Sequence, residues 1–209
     1  MANLLYVTCD VRSQDSSRIL SLGAAFLEEY LLRTPGDEVQ VLDLYRDSIQ
    51  RVDQDVMYAR CRIERGEDYG LLSYEERRKM SRLWRLAEQF DRCVKYVFVT
   101  HSLNLCFPAE FKMYIDAICV PDRTYCLMPH GAQGTLSAAY RKSLHLHAGP
   151  PYEFGQEQDL SVPYLSSILN FFGVTAQEKV LLEGDDPERG SHGEYEAAQR
   201  KLCEVARRF

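Results

Sequence analysis

Cys9, His101, His145 and His147, the side chains best suited to move protons or hold metals, fall at or just beyond the ends of apolar runs, with Cys106 close by. Imidazole changes charge near neutral pH, and imidazole with thiolate binds soft or borderline metals. The group therefore reads either as an acid/base centre or as a metal site. His145 and His147 are two residues apart, a spacing that on a strand puts both on one face. The spacing of the whole set matches no established ligand signature. Each member also has a plainer use, as a hydrogen-bonded core histidine or a small buried cysteine. No metal ligand is assigned. Between His101 and Cys106 runs Ser102-Leu103-Asn104-Leu105, and Phe107-Pro108 follows. Pro108 suits the first turn of a helix, so 101–108 reads as a strand-to-helix crossing.

The elements that must position these residues alternate along the chain. Leu4–Thr8, Val39–Leu44, Val94–Thr100, Ser143–His147 and Lys179–Glu183 have the length and the β-branched or aromatic richness of buried strands. Helices are expected over Ile19–Arg33, after capping side chains at Asp15-Ser16-Ser17, and over Leu71–Phe90. Further helices are expected from Pro108, over Val162–Phe172 with Gly173 as the stop, and over Ser191–Arg207. Alternating strands and helices imply an α/β fold, a doubly wound five-stranded parallel sheet covered on both faces, with 2-1-3-4-5 as the simplest order. In such sheets ligands bind beyond the carboxyl ends of the strands, where Cys9, His101 and His147 fall. The charged stretch 53–69 suggests a surface excursion and 123–136 a small β excursion within a single domain, 1–209.

The composition excludes several classes. No run of about 18 apolar residues is present, so no membrane span is expected and the chain reads as a soluble, cytoplasmic protein. Seven cysteines with no paired spacing argue against a disulfide framework or a zinc knuckle. A net charge of -6, with basic residues interleaved among acids, makes nucleic acid an unsuitable partner.

Asn104, Pro108 and the run Lys112, Tyr114, Ile115 and Asp116 resemble the flavin-wrapping loop and following helix of the flavodoxin-like, FMN-dependent NAD(P)H azoreductases and quinone reductases. Pro163-Tyr164-Leu165, Phe171-Phe172-Gly173-Val174 and Glu183-Gly184 extend the resemblance over nearly the whole chain. It implies FMN as cofactor, NADH or NADPH as electron donor, and a quinone or azo compound as acceptor. It also implies a homodimer with sites at the interface, because 123–135, with Tyr125, Gly131 and Gly134, corresponds to the segment that lies over the partner's flavin.

Three loops are then expected to hold the cofactor. In the first, Cys9 and Ser17 occupy phosphate-cradle positions at a helix N-terminus, where amides and the dipole favour an anion. Asp15 stands there as well, and two like charges about 4 Å apart repel by roughly 1 kcal/mol even in water. Arg12 and Arg18 could offset that repulsion, or Asp15 could be a simple N-cap. In the second, Ser102, Leu103, Asn104 and Leu105 would line the isoalloxazine, although Asn104 could merely hold its own turn. In the third, Ala148 and Gly149 keep small residues near the ring edge, while Pro150 and Pro151 lack the amide hydrogens of the family's glycine pair. The cofactor carries the redox chemistry, so no nucleophile is needed, and His147 is the candidate proton donor. Two other readings stand beside this one: a flavin-free enzyme using the His/Cys cluster, and a non-catalytic dimeric binding protein.

Overall fold

The computed structural model describes residues 2–136, 140–150, 154–184 and 192–209. Strand β1 (Asn3–Cys9) leads through a short 3-10 turn at Gln14–Ser16 into α1 (Arg18–Arg33). Ser17 caps this helix, its hydroxyl accepting from the Leu20 amide. Then follow β2 (Glu38–Asp43), α2 (Gln54–Glu64), α3 (Tyr74–Arg92) and β3 (Lys95–His101). Next come α4 (Ala109–Ile118) and the hairpin of β4 (Tyr125–Met128) and β5 (Gly131–Gly134). The chain ends with β6 (Lys142–Gly149), α5 (Ser161–Phe172), β7 (Ala176–Glu183) and α6 (His192–Arg208).

Five strands form one parallel sheet in the order β2-β1-β3-β6-β7, and β4-β5 stands apart as an antiparallel pair. The main sheet therefore has the expected 2-1-3-4-5 winding. Residue parity sorts the strands' side chains into two cores. Leu4, Tyr6, Val97, Val99, Leu144 and Leu146 pack under α1 and α6. Leu5, Val7, Cys9, Tyr96 and Phe98 pack under α3, α4 and α5. Helix α1 lies so close to the sheet that a Cβ on Gly23 would come within 2.3 Å of the Tyr6 hydroxyl oxygen.

Several boundaries differ from those read in the sequence. The helix expected from Leu71 starts at Tyr74, because Ser73 and Glu76 form a reciprocal capping box. The charged 53–69 stretch holds a helix whose Val56 and Ala59 join Met80, Leu83 and Ala117 in a small third cluster. Pro108 is the cap of α4 and not its first helical residue. Gly173, at φ 105°, ends α5 in a Schellman pattern, with Val174 N–H bonding Leu169 O at 2.8 Å. Strand β6 runs on to Gly149, so Ala148 and Gly149, expected in a loop, lie on the strand. Pro151 is outside the described residues.

Candidate functional site at the carboxyl edge of the sheet

Asp10, directly after β1, is the residue that sequence reasoning missed. It is buried, and it accepts from the Arg12 amide at 2.9 Å, from Arg12 Nε at 3.0 Å and Nη2 at 2.6 Å, and from Ser17 Oγ at 2.8 Å. Burial alone would raise its pKa, but the bonds from Arg12 and Ser17 outweigh that and hold the carboxyl below its ordinary range. The Asp10-x-Arg12 spacing ahead of a serine-rich helix start was the available signal. Asp15 is exposed, and the structure gives it no capping role. Arg12 answers Asp10 instead of Asp15. Arg18 donates to the Gly184 carbonyl at 2.7 Å and lies over the Tyr195 ring.

Ser17 thus has two tasks, capping α1 and anchoring Asp10. Ser13 and Ser16, both exposed, have their hydroxyl oxygens 2.9 Å apart on the same turn. Cys9 is buried at the end of β1, in one row with Thr100 and His147 across three strands. Its thiol is pushed up to about 12, first by burial and then by the charge of Glu110, so it is no thiolate at neutral pH.

Leu103 and Cys106 bond each other's backbones, closing a turn with Asn104 and Leu105 at φ 53° and 69°. Positive φ at both central residues is the signature of a type I′ turn, which Asn accepts readily and Leu does not. The turn pushes Leu103 and Leu105 into solvent, 48% and 39% exposed. Ser102 N–H bonds Ala148 O at 2.7 Å and Gly184 N–H bonds Gly149 O at 2.8 Å, so three rim segments are stitched together by their backbones. A Cβ on Gly149 would come within 3.0 Å of the Phe154 ring.

The histidines divide. Thr100 Oγ1 lies 2.9 Å from His145 Nε2 and 2.7 Å from His147 Nδ1, all three residues being buried. Phe107 packs against both rings, and Phe154 against His147. Burial, then the nearby His101, pushes His147 down to about 3, and burial also drives His145 well below its ordinary value. His147, the candidate proton donor, is therefore a neutral imidazole at neutral pH. His101 belongs to the opposite parity. Its Nδ1–H donates to Cys9 O at 3.2 Å, and the ring stands 3.8 Å from Asp10. Cys106 is half-buried beside the turn. The expected convergence of Cys9, His101, His147 and Cys106 thus resolves into two separate arrangements. Among the described residues no group of three or more His, Cys, Asp or Glu could hold a metal ion.

A family characterised by the flavodoxin-like fold matches residues 2–205. The chain is also 46% identical over 211 residues to an FMN-dependent NADH:quinone oxidoreductase of Geotalea uraniireducens (strain Rf4), covering 100% of each. The chain belongs to this flavodoxin-like family of azoreductases and quinone reductases. Within the family, FMN-dependent NADH:quinone oxidoreductase 3 of Halalkalibacterium halodurans is 36% identical over 214 residues, again covering 100% of both chains. An azoreductase crystal structure from Bacillus anthracis strain Sterne superposes with a TM-score of 0.89 at 28% identity, covering 100% of each chain. The sheet order and the carboxyl-edge rim described above are thus those of a flavodoxin-like family member.

Proposed function

We propose that this chain is an FMN-dependent oxidoreductase that takes hydride from NADH and reduces quinones or azo compounds by two electrons. What carries the reading is the end-to-end likeness to a relative bearing an NADH:quinone oxidoreductase name. The rim of this structure fits the cofactor. The one buried carboxylate near the α1 N-terminus is already neutralised by Arg12 and Ser17, so it presents little free negative charge to a phosphate. Asp15 faces water, where its repulsion of an anion is screened.

When bound, FMN supplies the hydride-accepting and hydride-donating chemistry. The residues of this chain position it. Ser17 with the turn before α1 receives the phosphate, and Cys9 lines the floor as an uncharged thiol. Ser102, Leu103, Asn104 and Leu105 offer backbone groups and aliphatic contact to the ring system. Ala148 and Gly149 leave room at its edge, and His147, fully buried on the same strand, lies beneath that edge between Phe107 and Phe154. Because His147 is neutral and buried, its contribution is to hold the strand end through Thr100 and not to store a proton.

Homodimerisation belongs to the same proposal. It is supported by the β4-β5 hairpin, where Tyr125 is braced by Phe171 while Leu127 and Met128 are 64% and 51% exposed. A cytoplasmic location fits this chemistry, and no described helix is long and apolar enough to cross a membrane. The test is direct: titrate the purified protein with FMN, then follow NADH oxidation with a benzoquinone and with an azo dye as acceptors. Saturable flavin binding and acceptor-dependent NADH oxidation are expected. A protein that leaves flavin fluorescence unchanged refutes the proposal.

A further inference from the structure

The β4-β5 hairpin carries three side chains able to bind soft or borderline metals at every second residue: Cys126, Met128 and His130. Alternation along β4 puts Cys126 and Met128 on one face, opposite Tyr125 and Leu127. The two sulfurs meet there, with Cys126 Sγ 4.0 Å from Met128 Sδ and 3.4 Å from the Gln133 carbonyl oxygen. Met128 pairs across the hairpin with Gly131, where a Cβ would meet nothing within 4 Å, so the cross-strand side of its sulfur is uncrowded. Pro129 and His130 are the two residues that connect the strands, and the exposed His130 therefore follows directly on this pair.

Two metal–sulfur bonds of about 2.3 Å that meet at about 120° hold their sulfurs about 4 Å apart. The observed separation of 4.0 Å matches two corners of a three-ligand set. Charge and softness then select the ion. One thiolate with a neutral thioether and a neutral imidazole carries a single negative charge, which a monovalent cation cancels. A divalent zinc ion would keep an uncompensated charge and would want a fourth ligand from His, Cys, Asp or Glu. Thiolate and thioether together favour Cu(I) over harder ions. Cys126 is half-buried at the hairpin surface, whereas burial pushes the thiols of Cys9 and Cys93 up to about 12 and about 11 and keeps them protonated.

We infer that Cys126, Met128 and His130 form a binding site for a soft monovalent metal ion of the Cu(I) class. On binding, the Cys126 thiol releases its proton to water, and the metal gains one bond each to thiolate, thioether and imidazole; no electron is transferred. The site is separate from the carboxyl-edge rim, because the hairpin packs against the end of α5 through Tyr125 and Gly134. It therefore stands whether or not this chain binds FMN.

The test is carbon-13 NMR of the full-length protein labelled at its methionine methyl groups, reduced and oxygen-free, with Cu(I) added as its acetonitrile complex. One equivalent should shift the Met128 methyl signal, which is identified by its loss in Met128→Leu. A Met128 methyl that stays in place overturns the inference. Affinity is then read by competition with a bicinchoninate chelator. Met128→Leu and His130→Ala should each weaken binding at least about tenfold, the smaller loss found when even a residue behind a metal ligand is removed. Cys126→Ser should weaken it more than about a hundredfold. Cys61→Ser removes a different exposed thiol and should bind as the wild type does. Wild-type affinity in Cys126→Ser, or a loss in Cys61→Ser as large as that in Cys126→Ser, overturns the site. Wild-type affinity in His130→Ala overturns the three-ligand set, and an equal methyl shift with zinc overturns the choice of a soft ion.

Discussion

Lowering the pH from about 7.5 to 5 should weaken this fold through two histidines before any carboxylate matters. His147 is held down to about 3 in the folded chain by burial and by His101. His145 is also held well below its ordinary value, by burial first, then by His147 and by Lys179. In the unfolded chain each returns to about 6.5. Between those values the unfolded state binds more protons than the folded one, so stability rises with pH across the window and falls as the solution is acidified. For a group moving from about 6.5 to about 3, the loss between pH 7.5 and 5 is about 1.36 kcal/mol for each of roughly 1.5 units, or about 2 kcal/mol. His145, displaced in the same direction by burial, adds to that loss, which is already a large share of the 5–15 kcal/mol typical of a domain. Urea denaturation at the two pH values, for the wild type and for His147→Gln, measures this. The variant removes one titrating ring and should lose about 2 kcal/mol less than the wild type over the same interval. If the two proteins lose the same amount, within about 0.5 kcal/mol, then His147 is not buried neutral.

Other outcomes follow from named contacts. Arg12→Ala strips the partner from buried Asp10 and should lower stability by on the order of 2 kcal/mol at neutral pH. Because Asp10 titrates below its ordinary range, that penalty is present above about pH 4 and should shrink as Asp10 is protonated, which urea curves at pH 3 and 7 would reveal. Gly134→Ala would bring a Cβ to 2.0 Å from the Phe171 carbonyl oxygen, so the hairpin should undock. Faster amide exchange at Leu136, whose N–H bonds Phe172 O at 2.9 Å, is the readout. Leu105→Asn relieves a left-handed leucine and should raise stability by about 1 kcal/mol in thermal unfolding. It should weaken FMN binding as well, since it removes an exposed apolar contact from the rim.

Much of this molecule was legible without coordinates. Strands rich in Val, Leu and Phe alternating with helices that end at Gly173 or begin near Pro108 leave few windings, because crossovers have one hand. Asn104 announced a tight turn, since Asn tolerates the left-handed backbone found there. Helix α2 was harder to read, because Val56 and Ala59 are buried by residues distant in sequence, among them Met80 and Leu83 of α3 and Ala117 of α4.

The site was less legible, for a reason that can be stated residue by residue. Asp10 looks like a loop carboxylate until Arg12 and Ser17 fold back upon it. His101 and His147 look like partners until parity sends one toward Cys9 O and Asp10 and the other toward Thr100. Sequence alone determined which residues reach the carboxyl edge, because strand length and the two-residue period are local properties. Which of them meet on one hydroxyl was decided only by the tertiary structure. The bonds from Thr100 to His145 and His147 span 45 and 47 residues and depend on the register of β3 against β6, and no local pattern encodes that register.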